Sequence, residues 1–550
     1  MMKNSRSFSC RAFALLLACS VESGAVWSQN SGNRIAEENL NHVTRQPGAQ
    51  SEFAPPSKQV QQPNLVLPDL GDISSASLSP VDEKKLGQRI MREIRRDPDY
   101  TADPVTYDYL NTLIARLAAG ARSQKVPGIE GEGTFALRFE LFGVKDKTIN
   151  AFALPGGFIG VHTGLLVAAD TESELASVLG HEMGHVTQKH IARMYGQQGT
   201  NSMIALASII LAAIAVSRNP NAAQGIAVGG QALAIQNQLS YSRDAEREAD
   251  RVGFQILQGS GFDPQGMPDF FARLQRANSI MESGVPGYVR THPLTTDRIA
   301  DMQDRVRGLA AVRVPSSIEF YMLKARAQLI QTTSTSNFPE LKQYFESLTR
   351  KPEPRKQLEG FYGLGIMALK QQRLADADIN LQKAKALVLQ LANNGSPFNK
   401  LSPAIEIANI EILIAKNQLE AALKQVNQLK AVYPTSRSAN FYWADIELKM
   451  KNSSPVIAWA KQQARINPTE TSYWEILARA YALADQKALH HAALAERYVS
   501  EGAWVGALEQ MKFAKLAGDA DFYQSSEIDA RARQIQELYR QELREEGRRQ

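Results

Sequence analysis

The stretch "LASVLGHEMGHVTQKH", Leu175–His190, constrains this chain more than any other. A helix turns through 100° per residue, so His181 and His185 project from one face, about 40° and one turn apart. Imidazoles at that spacing can hold one metal ion, and Glu182 lies beside them within reach of a bound water. The pattern therefore demands a helix here and a second element that completes the coordination. His190 falls about 180° around a continuous helix from His181 and is excluded as a ligand.

The missing ligand is not a thiolate. The only cysteines are Cys10 and Cys19, and both sit in an N-terminal stretch that reads as a secretory signal. Lys3, Arg6 and Arg11 form its basic start, Ala12–Val21 its apolar centre, and cleavage is expected after Ser28. The alternative, a lipoprotein signal ending at Cys19, places Leu17 poorly. A membrane anchor would need ~20 apolar residues, about twice what is present. After cleavage the chain has no cysteine, which suits an oxidising compartment such as the periplasm. A formal net charge of +5, spread along 550 residues, gives no basic stripe and argues against nucleic-acid binding.

Residues 29–75 are rich in Asn, Gln, Ser and Pro and read as a flexible segment. Order is expected to begin at Ser79-Pro80, as N-cap and first helical position, with Leu86, Ile90 and Ile94 as the buried stripe. A helix over 107–119 follows, then an alternating strand over 134–142. Two short strands flank Pro155-Gly156-Gly157, and a capping box at Asp170, Thr171 and Glu174 opens the histidine helix. Near Ser316 the character changes to helix after helix. Tyr433-Pro434 and Asn467-Pro468 stand 34 positions apart, the tetratricopeptide period. Trp474, Leu477, Ala478 and Tyr481 have the spacing of that repeat's first helix. Gly365, Ala377, Leu381 and Ala384 supply its small-residue frame, as do Ala495, Tyr498, Ala507, Met511 and Ala514. The charged helix after residue 520 reads as a polar cap to the array.

A hydrolytic zinc site has three protein ligands and a fourth position open to water. "YSRDAEREADRVG" offers Glu246 as a carboxylate ligand and Asp250, four residues on, as acceptor from a ligand imidazole. Glu248, with Arg243, Arg247 and Arg251, reads as the solvated face of the same helix.

The segments "HEMGH" and "SRDAEREAD", preceded by "NAFALPGGFIGVHTGLL", resemble the zinc metallopeptidases of the HtpX and CAAX prenyl protease superfamily. The resemblance runs from about residue 76 to the end and, with the signal and the repeats, is closest to periplasmic members that act in outer-membrane assembly. It implies an α+β zincin domain of gluzincin type over 76–312 and an all-α tetratricopeptide solenoid over 316–550. One Zn²⁺ would be held by His181, His185 and Glu246, with Glu182 as general base. Asn150, Ala151, Phe152 and Ala153 resemble the strand edge on which an extended substrate pairs. In "THPLTTDRI", His292 and Arg298 either stabilise the oxyanion, or His292 fills the open metal position, or it is a loop histidine before a proline turn. The apolar stretch Met203–Val216 reads as a buried helix or as a lid touching the membrane or a client; it is too short to span a bilayer. Misassembled outer-membrane proteins would be the substrates, and the repeats would dock clients or the β-barrel assembly machinery. The competing reading is a chaperone or adaptor built on the repeats, its protease largely latent. His162, His490 and His491 read as packing or surface residues.

Overall fold

The first described helix begins where the capping chemistry directs it. Ser79 accepts from the backbone N–H of Asp82 and opens α1 (Pro80–Arg96), which buries Leu86, Ile90, Met91 and Ile94. The computed structural model describes residues 78–101, 103–129, 137–198, 242–280, 287–309, 314–393 and 401–547, with Ala207, Ile210, Leu211 and Ile214. These residues all lie in one compact unit, Asp72–Gln550. The expected signal and the segment to residue 75 lie outside them, as does most of Met203–Val216. Of that stretch, Ala207 and Ile210 are buried beside α1 and Phe142.

After β1 (Tyr100–Thr101) comes α2 (Pro104–Ser123), longer than expected because Asp103 caps it and Pro104 takes its first position. The sheet adds β2 (Glu140–Val144), β3 (Ala151–Leu154) and β4 (Phe158–His162) in the order β1-β2-β4-β3. β2 runs parallel to β4, while β3 is antiparallel to β4 and forms an edge. The expected strand over 134–142 is displaced: pairing starts at Glu140 and runs on to Val144, and residues 134–136 are not described. Four consecutive buried residues, Leu141–Val144, make β2 a covered strand, for which alternation is the wrong signal.

Helices α3 (Thr163–Ala168), α4 (Glu172–Thr187) and α5 (His190–Gln198) follow. The box at the start of α4 forms as expected in part: Thr171 Oγ1 accepts from Glu174 N, while Glu174 reaches back to Asp170 N. Then come α6 (Arg243–Gly259), α7 (Gly266–Ile280), α8 (Gly287–Thr291) and α9 (Thr296–Arg307). The core of this part joins α2, the sheet, α4, α6 and α7 through residues such as Leu117, Ile159, Leu179, Val252 and Phe270.

Beyond Ile318 the elements are helical: α10 (Ile318–Gln331), α11 (Phe338–Thr349), α12 (Pro354–Lys370), α13 (Leu374–Asn393), α14 (Pro403–Ala415), α15 (Leu419–Val432), α16 (Arg437–Lys449), α17 (Ser453–Ile466), α18 (Thr471–Leu483), α19 (Lys487–Ser500), α20 (Trp504–Leu516) and α21 (Phe522–Gly547). From α11 onward each packs on the next. Left-handed turn residues at Asn417, Lys451 and Asp485 recur at a 34-residue step. A Cβ at Gly365 would lie 2.7 Å from the Leu381 side chain, so α12 and α13 meet closely at that pair.

The array does not stand clear of the α+β part. Helix α2 packs against α10, α14 and α16, and Val105 joins the array's core. Asp108 accepts from the backbone N–H groups of Arg437 and Ser438 at 2.8 and 2.9 Å, capping α16 from another part of the chain. Asp103 pairs with Arg326, Arg95 donates to Thr469 O, and Arg89 meets Glu542.

Candidate metal centre

Two helices cross at backbone contact to build the site. A Cβ at Gly253 would lie 2.8 Å from His181 N, and one at Gly184 would lie 2.9 Å from Ala249 O. No larger residue allows α4 and α6 to approach so closely, and this approach sets Glu246 and Asp250 opposite His181 and His185. All four are essentially buried.

One ligand atom each from His181, His185, Glu246 and His292 lies within 4.8 Å of the others. His181 Nε2 is 3.0 Å from His185 Nε2 and 3.5 Å from Glu246 Oε2; His185 Nε2 is 3.4 Å from Glu246 Oε1. His292 Nδ1 lies 3.3 Å from His181 Nε2 and 2.9 Å from Glu246 Oε1. Corners of a tetrahedron around zinc, at ~2.0–2.1 Å from the metal, stand about 3.3 Å apart, so the donor atoms fit such an ion. Burial opposes ionisation of Glu246, but His292 and His185 hold its carboxyl well below the ordinary range. Burial keeps His185 well below its usual value and therefore neutral, as a ligand must be.

Glu182 is fully buried, and neither carboxylate oxygen has a partner of good hydrogen-bond geometry. His292 Nε2 is 3.5 Å from Oε1. Burial raises its pKa, opposed by His292 and His181 and more weakly by the Ala153 backbone N–H. That last contact brings the edge strand β3 to Glu182. Asn150 and Ala151 are buried, Ala153 nearly so, and Phe152 half-buried.

Asp250 Oδ1 lies 2.9 Å from His181 Nδ1. Its carboxylate is gripped by Arg298 through Nε at 2.6 Å and Nη2 at 2.8 Å, and Arg298 Nη1 also donates to Pro293 O. Nη1 stands 2.7 Å from Glu246 Oε2 as well. Arg298 is thus committed to two buried carboxylates and to the turn after His292.

Three neighbours of the cluster were not among the expected site residues. His190 is beside the cluster after all, because α4 ends at Thr187 and Lys189 takes a left-handed turn (φ 52°) before α5. Its Nδ1 lies 2.9 Å from His185 Nδ1 and its Nε2 3.1 Å from Glu248. Glu248 is therefore part of the site's surroundings rather than only a solvated residue. Tyr288 stacks on His292 at 4.7 Å between ring centres, and burial followed by Glu182 raises its pKa well above the usual value. An aromatic one helical turn before the histidine was the available signal. His162 is buried on β4 against Thr148, apart from the cluster. His490 and His491 lie half-buried on α19.

Residues 109–306 match peptidase family M48. A relative from Vibrio cholerae is 30% identical over 478 residues, covering 86% of this chain and 93% of its own. The chain belongs to the M48 peptidases. It is a metalloendopeptidase. Similar too is the Beta-barrel assembly-enhancing protease of Escherichia coli K12, 29% identical over 476 residues and across 91% of that protein. The mitochondrial metalloendopeptidase OMA1 of Schizosaccharomyces pombe is 27% identical over 228 residues, 40% of this chain and 60% of its own. Similarity to the first two extends through the helical array, whereas the OMA1 match is confined to a shorter stretch. Among the described residues, no helix is long and apolar enough to cross a membrane.

Proposed function

We propose that the chain is a zinc-dependent endopeptidase of the periplasm that removes outer-membrane β-barrel proteins whose assembly has failed. The observation that carries the chemistry is a buried set of His181, His185 and Glu246 beside a buried carboxylate, Glu182, that makes no well-formed hydrogen bond. Two imidazoles and a carboxylate suit zinc. When bound, the metal polarises a peptide carbonyl and acidifies a water. Glu182 takes the proton of the attacking water and returns it to the leaving amine. Asp250 orients His181. The outer edge of β3, with Asn150 just before it and Ala151, Phe152 and Ala153 within it, pairs with the extended substrate backbone, a mode that tolerates many side chains. The client class follows the name of the Escherichia coli relative, a protease that enhances β-barrel assembly. The compartment rests on the signal-like N-terminus. The 34-residue step of the turns supports a tetratricopeptide array that docks clients or the assembly machinery.

The purified full chain is expected to carry one zinc per molecule and to cleave casein, and a chelator should abolish both. Cleavage that survives complete metal removal sinks the proposal.

One observation favours a largely latent protease whose array also serves as chaperone or adaptor. His292 supplies a fourth donor and sits between Glu182 and Glu246, where a water would have to enter. On this reading His292 must withdraw before turnover. If the withdrawn state holds ~10% of molecules or fewer, His292→Ala raises basal casein cleavage about tenfold or more. A nearly dead variant would place His292 in catalysis and end the latency reading.

A further inference from the structure

The two histidines of α4 are held from behind in different ways. His181 Nδ1 meets a carboxylate directly, that of Asp250. His185 Nδ1 meets another imidazole, His190 Nδ1, at 2.9 Å, with ring centres 4.9 Å apart and planes at 73°. The far nitrogen of His190 lies 3.1 Å from Glu248 Oε2, and Arg193 Nη1 donates to that oxygen at 2.9 Å. The series ends at the surface: His190 is 2% exposed, but the side chains of Glu248 and Arg193 are 31% and 48% exposed.

One arrangement of protons satisfies every contact in this series. Glu248, a carboxylate, accepts from His190 Nε2–H. His190 Nδ1 then carries a lone pair and accepts from His185 Nδ1–H. His185 Nε2 is left with its lone pair directed at His181, Glu246 and His292. The opposite tautomer of His190 would set two lone pairs, or two protons, against each other at one end of the series.

We propose that His190 is the positioning residue that fixes the ring orientation and tautomer of His185 for metal binding, with Glu248 anchoring it. The inference rests on the metal-site reading above. The left-handed Lys189 makes the arrangement available, because a helix continued past Gln188 would carry His190 to the far side. Partners that hold the outer nitrogen of a ligand imidazole commonly change metal affinity by ~10–100-fold when lost. His185 is the more sensitive of the two ligands, since its acceptor is a neutral ring that leans in turn on a partly exposed carboxylate.

The test uses the full chain, with Zn²⁺ affinity measured by competition against a chromophoric chelator and Co²⁺ loading followed through its visible bands. His190→Phe keeps a ring but has no acceptor; it should weaken Zn²⁺ binding about 10–100-fold and alter the Co²⁺ bands. His190→Asn can place its amide oxygen near the position of Nδ1 and should recover most of the affinity and the native spectrum. An unchanged affinity and spectrum in His190→Phe overturns the proposal. So does a loss that His190→Asn fails to rescue, which would make His190 a packing residue. If His190→Phe does not fold, Glu248→Gln decides: a roughly few-fold loss with shifted bands supports the relay, and wild-type behaviour overturns it. A wild-type chain that takes up neither ion overturns the metal-site reading itself, a result distinct from all of these.

Discussion

Glu182→Gln is expected to lower peptide hydrolysis by about 10³-fold while the protein stays folded and becomes harder to melt. The loss is that of a positioned general base, worth ~10²–10⁴-fold. The gain has a separate cause. Glu182 holds a carboxylate in a fully buried place where neither oxygen is properly hydrogen-bonded, and burial raises its pKa accordingly. A buried charge without a well-formed hydrogen bond is costly, and an amide of the same shape removes much of that cost. Casein cleavage and a thermal melt of the same sample check both halves. A variant that still cleaves at the wild-type rate removes Glu182 from the chemistry. Client binding should be unaffected, so the same protein separates a protease from an adaptor.

Arg298→Ala should cost stability rather than turnover alone. The guanidinium makes a two-point contact with Asp250 and lies against Glu246, all three being buried. Burial works to lower its pKa, yet Asp250 holds it raised. Removing one member of a buried ion cluster leaves uncompensated charge and destabilises by ~3–5 kcal/mol. For a domain of this size that is a fall on the order of 10 °C in melting temperature. Arg298→Lys should restore only part, since a point charge cannot reproduce the fork. Metal binding should weaken in parallel, because Asp250 orients His181 and Arg298 donates to the carbonyl beside His292. A melting temperature within about a degree of wild type, with turnover alone reduced, would favour the oxyanion role instead.

The pairing of His181 and His185 with Glu246 and Asp250 was legible because helical spacing of four sets side chains on one face in each segment. The reason those two segments meet was legible too: Gly180 and Gly184 in one and Gly253 in the other announce close helix contact, a signal left unread. His190 is not among the grouped donors, as expected, but the far-side position assumed for it fails because the helix stops first. Nothing in Gln188-Lys189 announces the stop, since lysine carries the left-handed turn where glycine or asparagine would be the usual sign. Tyr288 escaped because an aromatic in a short helix reads as core, and only the stacking on His292 makes it part of the site. The strand over 134–142 slipped because β2 is covered on both faces and gives no alternation. The succession of helices after Ile318 was legible in the want of strand signals, but the cap that Asp108 places on α16 was not, because no local pattern links positions so far apart.

That cap has a consequence for the order in which the protein can be made. Ribosomes deliver the chain from its N-terminus, and early segments can settle before late ones arrive. Helix α16 emerges more than three hundred residues after Asp108 and finds its terminal N–H groups already provided for. Arg437, at the same end, meets the ring of Tyr107 and the carboxylate of Glu470 at once. The earlier half thus serves as a mould for the later one: a chain cut near residue 316 yields a second piece whose key helix terminus faces water in place of its acceptor. Grafting such an array onto another enzyme would leave Asp103, Asp108 and Arg95 without the partners they meet across the seam.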